Sequence, residues 1–188
     1  MKINEDTKRA MAQALYQSMQ TMPIDKISIK TLTDICGLNR QTFYYHFKDI
    51  YDLVCWMYVT HINEVLDRAD ALGEQDRETL RYVLVTAELE AESFRPIFES
   101  KRYYSRVRRA AIDSLTDRLM EKFKATFAEL SYTEEQSVFH AEFYSLALFE
   151  FIERRARGTA VSTIDGFADN WTRMMSCQFM GERLRNSR

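Results

Sequence analysis

Residues that interrupt helices are scarce in this sequence. Only five glycines and two prolines occur among 188 residues, whereas apolar residues make up 46% of the chain. No apolar run approaches the ~20 residues that a membrane-spanning helix needs. We therefore expect an all-α protein that lies outside the membrane.

Cysteine and histidine are also rare. Cys36, Cys55 and Cys177 are odd in number and lack metal-ligand spacing. Because each lies inside a helical pattern, they are predicted to be buried thiols rather than a redox sensor. The three histidines are scattered, and no glycine-rich phosphate loop occurs. We expect no metal, no cofactor and no enzymatic activity. No signal sequence opens the chain, which predicts a cytoplasmic protein.

The most informative segment begins at Ser28. Its hydroxyl can cap a short helix on which Leu32 and Ile35 share an apolar face. Gly37 can then adopt a left-handed backbone, and Asn39 can cap a second short helix. Two capped short helices joined at a glycine predict a helix-turn-helix.

On the second of these helices, Phe43 and Phe47 are four residues apart and are expected to face inward. The outward face is then rich in groups that suit DNA: Arg40, Gln41, Thr42, Tyr44, Tyr45 and His46. Arginine can donate two parallel hydrogen bonds to guanine, glutamine matches adenine, and a threonine methyl group can pack on thymine. On this local pattern alone, a helical hairpin with a polar surface is an equally good interpretation.

The wider pattern resembles the N-terminal domain of the TetR/AcrR family of transcriptional regulators, over about the first third of the chain. The matching residues are Gly37 and Leu38, the run from Arg40 to Phe47, and Lys48 with Asp49. The resemblance implies a DNA-binding site, with Ser28, Lys30 and Asn39 beside the recognition helix.

Individual roles follow from the same resemblance. Arg40, Gln41 and Tyr45 would contact bases, and Thr42 would contact a base or a phosphate. Phosphates would be contacted by Lys30, Tyr44, His46 and Lys48. One position departs from the family pattern, because Ile50 stands where a phosphate-binding lysine is usual. That contact is either missing or made by Lys48.

Charge is distributed unevenly along the chain. Residues 1–50 carry seven Lys or Arg against five Asp or Glu, whereas residues 51–188 carry 19 against 23. The net charge of +2 in the first segment is small for a DNA-binding protein. We therefore expect useful affinity from a pair of protomers rather than from one.

Hydrophobic periodicity predicts further helices. A first amphipathic helix covers residues 6–21, and a long helix runs from Asp49 to near Gly73. The next covers 76–93, and Pro96 starts another short one. A stripe of apolar residues at every fourth position follows, formed by Val107, Ala111, Leu115, Leu119, Phe123 and Phe127.

Two long helices complete the pattern. Thr133 and Gln136 fit a capping box, and the helix after them is apolar on nearly all sides. The last helix starts at Ser162 or Thr163 and ends at Gly181. About nine helices are expected, divided into a helix-turn-helix domain over residues 1–48 and a helical effector-binding and dimerisation domain over 49–188.

A helix that is apolar all round needs cover on two sides. A second subunit is one solution, and the resembled family dimerises through its last two long helices. The predicted interface comprises Phe143, Leu146, Phe149, Phe167, Trp171, Met174 and Met175. The alternative is that both helices close a monomeric bundle.

In the family, helices between the two ends of the chain usually enclose a pocket for a small effector. Polar or aromatic residues inside apolar helices are the candidates: His61, Tyr82, Arg108 and Tyr144. A basic cluster over residues 101–109 could bind an acidic ligand or partner, or it could be a solvated helix start. A minor DNA contact is the least favoured interpretation, since the cluster belongs to the other predicted domain.

Together these features predict a homodimeric regulator that reads a palindromic operator, acts as a repressor rather than an activator, and responds to an unknown small-molecule or protein effector. The C-terminal half resembles a subgroup of the family that is known from low-GC Gram-positive bacteria. The run from Arg40 to Phe47 is also similar to the dihydroxyacetone-kinase regulators of that subgroup. That resemblance implies the alternative of a protein coactivator in place of an inducer. A helical interaction protein without operator binding is the rival from another functional class.

Overall fold

The computed structural model describes residues 2–73 and 76–186, with side chains for 4–73 and 76–179. Eight α-helices and one short 3-10 turn, and no strand, occur in these ranges. The helices are α1 (Lys2–Met19), α2 (Ile29–Cys36), α3 (Arg40–His46), α4 (Ile50–Ala71), α5 (Asp76–Glu99), α6 (Tyr104–Glu129), α7 (Glu134–Ala156) and α8 (Ile164–Asn186), and the 3-10 turn is Ile24–Lys26. The predicted all-α class is confirmed.

The predicted helix caps are present. Asp49 Oδ1 accepts a hydrogen bond from the backbone N–H of Asp52 at 2.9 Å, at the start of α4. Thr133 and Gln136 form the reciprocal capping box of α7. The hydroxyl of Thr163, rather than that of Ser162, accepts from the backbone N–H of Gly166 at 3.0 Å and begins α8. Such side chains satisfy backbone donors that have no partner within the helix.

Two helix boundaries were predicted wrongly. Pro96 does not begin a new helix, because it lies inside α5. Phe94, Ile97 and Phe98 around it are buried, and their packing holds the helix together despite the missing N–H of proline. Gly181 does not end α8, which continues to Asn186. Glycine inside a helix costs only about 1 kcal/mol relative to alanine, which does not stop the helix.

The chain forms two compact units that are not contiguous in sequence. Unit 1 comprises Met1–Ile62 and Glu90–Ala111, and unit 2 comprises Asn63–Leu89 and Ile112–Arg188. The helices α4, α5 and α6 each contribute residues to both. The functional boundary between residues 48 and 49 stays a prediction, and it does not coincide with this structural division.

Unit 1 is built around aromatic and aliphatic side chains from all of its helices. Tyr58 of α4 packs edge-on against Phe94 and Phe98 of α5, with ring centroids 5.1 and 5.7 Å apart. Met11 and Leu15 of α1 are fully buried in the same unit. This core anchors the helix-turn-helix on the longer helices of unit 1.

Unit 2 buries one face of each helix that contributes to it. Val65 and Ala69 of α4 pack with Val83 of α5 in one cluster, which Leu66 and Tyr82 border. Phe151 of α7 stacks on Phe167 of α8 with ring centroids 3.9 Å apart. The α6 stripe agrees with the prediction in part: Ala111, at the edge of unit 1, and Leu115 and Phe127 in unit 2 are buried, whereas Leu119 and Phe123 are half-buried.

The prediction of three buried thiols is wrong. Cys177 is exposed, and Cys36 and Cys55 are only half-buried. Burial still raises the pKa of the Cys36 and Cys55 thiols above the ordinary value. Both therefore stay protonated and weakly nucleophilic near neutral pH.

Membrane-spanning helices and metal-binding clusters are both absent from the described part of the chain. No helix there combines the length and hydrophobicity needed to cross a lipid bilayer. Among the described side chains, no group of three His, Cys, Asp or Glu residues is placed to hold a metal ion.

Candidate functional site

The turn between α2 and α3 is held by local hydrogen bonds. The hydroxyl of Ser28 accepts from the backbone N–H of Thr31 at 3.1 Å and begins α2. Gly37 ends α2 with φ of 65°, in the left-handed region. The N–H of Leu38 then donates to the carbonyl of Thr33 at 2.9 Å. These bonds fix the direction in which α3 leaves the turn.

The helix α3, which the sequence predicts to be the recognition helix, is anchored by its inner face. Phe43 is fully buried, and Phe47, at the end of α3, is almost fully buried, as predicted. Their rings lie 5.8 Å apart, and Phe47 also packs edge-on against Trp56 of α4. Ile35 on α2 does not share this burial: it is 53% exposed, so its predicted inward position is wrong. A helix of eight residues has so few apolar positions that their spacing does not identify which face is buried.

The outer face of α3 is open to solvent. Arg40 and Gln41 in its first turn are exposed. Tyr44 and Tyr45 are 57% and 79% exposed, which is unusual for such large aromatic side chains. Four long polar side chains with hydrogen-bonding capacity therefore project from one short, rigid helix.

Three residues predicted to bind DNA also stabilise the helix ends. The amide oxygen of Asn39 accepts from the backbone N–H of Thr42 at 2.8 Å and from the Thr42 hydroxyl at 3.1 Å. The Ser28 hydroxyl is similarly engaged with Thr31. Their first role in the free protein is therefore to hold α2 and α3 in place.

Two predicted phosphate contacts lie beside acidic groups. The ammonium group of Lys30 is 2.5 Å from a carboxylate oxygen of Asp34, one helical turn away and exposed. The backbone N–H of Lys48 donates to Asp52 at 3.0 Å, and the Lys48 side chain is exposed. An exposed ion pair such as Lys30 with Asp34 is worth at most about 1 kcal/mol, so a stronger anion can compete for the lysine.

His46 is half-buried at the end of α3. Its Nδ1 is buried and has no hydrogen-bond partner among the described residues. Burial, and then the positive charge of Lys8, lower the pKa of His46 below the ordinary value. The imidazole is therefore neutral near pH 7 and meets an anion as a hydrogen-bond donor rather than as a cation.

Lys8 on α1 was missed by sequence reasoning. Its ammonium group lies 5.9 Å from the ring centroid of Phe47 and 5.6 Å from that of Trp56. Its positive charge also acts on His46 and lowers the pKa of that imidazole. No local pattern in the sequence relates position 8 to position 46, because only the packing of α1 in unit 1 brings them together.

A separate feature of unit 2 is a cavity of about 340 Å³. Its apolar lining includes Leu66, Leu119, Phe123, Trp171 and Phe179. Its polar lining includes four charged residues, Asp70, Asp76, Arg118 and Lys122. Arg118 donates to Asp67 at 2.6 Å and to Asp70 at 2.8 Å, and Lys122 lies 3.5 Å from both Asp70 and Asp76. The volume and mixed lining are typical of small-molecule sites.

The four residues predicted to form an effector pocket do not line this cavity. His61 belongs to unit 1, where its Nε2 lies 2.6 Å from Glu90 on α5. Arg108 is also in unit 1. In unit 2, Tyr82 packs beside the Val65 cluster, and the buried Tyr144 donates to Gln178 at 2.7 Å. Burial also raises the pKa of Tyr144 above the ordinary value, which keeps its hydroxyl protonated.

The predicted dimer residues divide into three groups according to their exposure. Phe143, Leu146 and Met174 are 48%, 43% and 43% exposed. Phe149 and Met175 are buried inside the single chain, so they have almost no surface left to lose to a partner. Phe167 and Trp171 are half-buried against residues of α7. Phe139 was not among the residues predicted for the interface. Its side chain is 61% exposed and stacks on Phe143.

Comparison with known proteins finds a fold neighbour. One similar solved structure is named dihydroxyacetone kinase operon activator DhaS. It superposes with a TM-score of 0.59 at 16% sequence identity, and the alignment covers 93% of this chain and 96% of that one. No family model matches the sequence. No curated protein matches it either. At this identity, the similarity shows a shared fold.

The Asn39 cap generates a stability prediction. Replacing Asn39 by Ala removes the acceptor of the Thr42 N–H, and we expect the free energy of unfolding to fall by about 1 kcal/mol. Asn39→Ser keeps a capping oxygen and should lie within a few tenths of wild type. Urea denaturation followed by circular dichroism measures both. Equal losses in the two variants would show that the cap does not stabilise α3.

Proposed function

We propose that this protein is a homodimeric, sequence-specific DNA-binding transcriptional regulator of the TetR type. The observation that carries the proposal is the geometry of α3. Its inner face is locked in the core by Phe43, while Arg40, Gln41, Tyr44 and Tyr45 are exposed on the same helix. A rigid helix with such a surface is what recognition of base edges in a major groove requires.

The chemistry of the first turn supports base recognition. Arg40 can donate two hydrogen bonds to guanine, and Gln41 can pair with adenine. Tyr45 is the most exposed of the aromatic residues on α3, and its hydroxyl group can donate or accept a hydrogen bond at a base edge. Lys30, Lys48, Tyr44 and His46 surround these side chains in the sequence and supply phosphate contacts that set the register on DNA.

An exposed apolar patch in unit 2 supports dimerisation. It consists of Phe139, Phe143 and Leu146 on α7 and Met174 on α8. Clustered large apolar side chains on a surface mark a contact with another protein. We propose that the partner is a second copy of this chain, because the twofold axis of a homodimer also places two recognition helices ~34–36 Å apart for a palindromic operator.

The cavity in unit 2 is the proposed effector site. Leu66, Leu119 and Trp171 would contact the apolar body of a small molecule, and Arg118 or Asp70 would contact its polar group. We propose that ligand binding biases the long helix α4, which supplies Leu66 and Asp70 to the cavity and Leu53 and Val54 to the core of unit 1. Repression relieved by such a ligand is the proposed mode of regulation.

The second candidate is an activator that works with a protein coactivator. The name of the similar structure, an operon activator, favours it. A reporter gene placed downstream of the operator, once that sequence has been selected from random duplexes, distinguishes a repressor from an activator. Expression of the protein lowers reporter output if it represses and raises it if it activates.

Loss of sequence recognition is the central expectation. Replacing both Arg40 and Gln41 by Ala should remove preference for the operator, because each lost base contact costs ~1–3 kcal/mol. Selection of bound duplexes from a random pool at moderate salt identifies the operator, and fluorescence anisotropy then measures affinity. Non-specific affinity and the oligomeric state should change little. If wild-type protein enriches no palindrome, the proposed function is wrong.

The exposed patch predicts a second result. Phe143→Asp places a charge on the proposed interface, and we expect the dimer to dissociate and operator affinity to fall. Leu89→Asp is the matched control, since Leu89 is 78% exposed on α5, outside the patch. Analytical ultracentrifugation measures the mass of each. A dimer that persists in the Phe143 variant places the interface elsewhere.

The cavity in unit 2 predicts a third result, the binding of a small molecule. A thermal-shift screen should find a small molecule that stabilises the protein, by about 2.7 kcal/mol at a concentration 100 times its Kd. Leu119→Trp fills the cavity and should abolish this shift, whereas Leu89→Trp on the surface should not. A shift that survives Leu119→Trp and is lost in His61→Ala would instead place the effector in unit 1.

A further inference from the structure

We propose that a basic patch outside the helix-turn-helix binds DNA phosphates beside the recognition helix. The patch consists of Lys101, Arg102, Arg106 and Arg109, at the start of α6 and in the turn before it. All four side chains are exposed. The inference rests on the proposed DNA-binding function and adds a second contact surface to it.

The patch lies next to the end of the recognition helix. The guanidinium group of Arg106 is 3.7 Å from a carboxylate oxygen of Asp49. Asp49 directly follows Lys48, a predicted phosphate contact, and lies three residues beyond the end of α3. Arg106 therefore presents its charge at the point where α3 leads into α4.

Tyr51 holds two of the arginines in place. The guanidinium of Arg106 lies 4.8 Å from the Tyr51 ring centroid, and that of Arg102 lies 5.1 Å from it. Arg102 also donates a hydrogen bond to the Tyr51 hydroxyl. Cation–π contacts orient an arginine while leaving its charge intact, so both side chains are preorganised for an anion.

These arginines flank a position that lacks a charge. Ile50 occupies the place where the family pattern has a phosphate-binding lysine, and here its side chain is buried. Its two neighbours in the chain, Asp49 and Tyr51, are the residues that Arg106 and Arg102 contact. Arg106 of α6 and Arg102 of the turn before it thus place positive charge on the surface around Ile50.

The division of the chain into units supports the same conclusion. Unit 1 carries thirteen Lys or Arg and nine Asp or Glu, net +4, and unit 2 carries thirteen and nineteen, net −6. The patch thus belongs to the positive unit that also contains α3. Asp25 and Asp49 face the patch and offset part of its charge. Four exposed cations against two carboxylates leave a net attraction for the phosphate backbone.

The salt dependence of operator binding tests the proposal. In the double variant Arg102→Gln and Arg106→Gln, the plot of log affinity against log salt concentration should become shallower by about 1.8 per protomer, ~0.9 for each contact. Affinity for operator and for unrelated duplex should fall together, so the ratio between them is preserved. Arg102→Lys with Arg106→Lys keeps the charge and should retain the wild-type slope.

Arg95→Gln is the matched control within unit 1. Arg95 is exposed on α5, but its partners Glu92 and Glu99 outnumber it and leave a local negative charge that repels phosphates, so its removal should leave the slope unchanged. Circular dichroism confirms that each variant is folded. An unchanged slope in the double glutamine variant overturns the proposal and leaves the patch to an acidic protein partner. If wild-type protein binds no duplex in a salt-dependent way, the proposed function itself fails, which is a different outcome.

Discussion

Burial of Phe43 and Phe47 is the constraint on which the candidate site depends. The seven residues of α3 are too few to form a stable helix alone, because nucleation costs more than so few hydrogen bonds return. The two aromatic rings supply the missing stability through contacts with each other and with Trp56. Every exposed side chain on α3 is therefore displayed by a helix that exists only through its buried face.

Local signals were the part of the fold that could be predicted from sequence. Ser28, Gly37 and Asn39 act within three or four residues of their partners, so their roles follow from residue type and spacing. The predictions for Ile35 and Pro96 were wrong because local signals do not decide the structure at these positions. Their environments are set by distant segments, and tertiary packing overrides propensity at both positions.

The C-terminal helices illustrate the limit of periodicity. An apolar pattern around α7 predicts that two faces are covered, but it does not say which face the chain itself covers. The structure assigns Phe149 to the core and leaves Phe139 and Phe143 exposed. The residues that line the cavity of unit 2 could not be found for a similar reason. The cavity joins side chains from five helices, and no spacing within one helix encodes it.

Non-contiguous units also change how the charge of the chain is understood. Residues 1–50 alone carry a net charge of +2, and a net charge of −2 for the whole chain obscures any preference for nucleic acid. Folding brings residues 90–111 beside the helix-turn-helix and concentrates positive charge in unit 1. A cluster that sequence order assigns to another domain thereby becomes part of the electrostatic field around α3. At physiological salt, where fields decay over about 8 Å, that proximity decides whether the cluster can act on the same anionic ligand as α3.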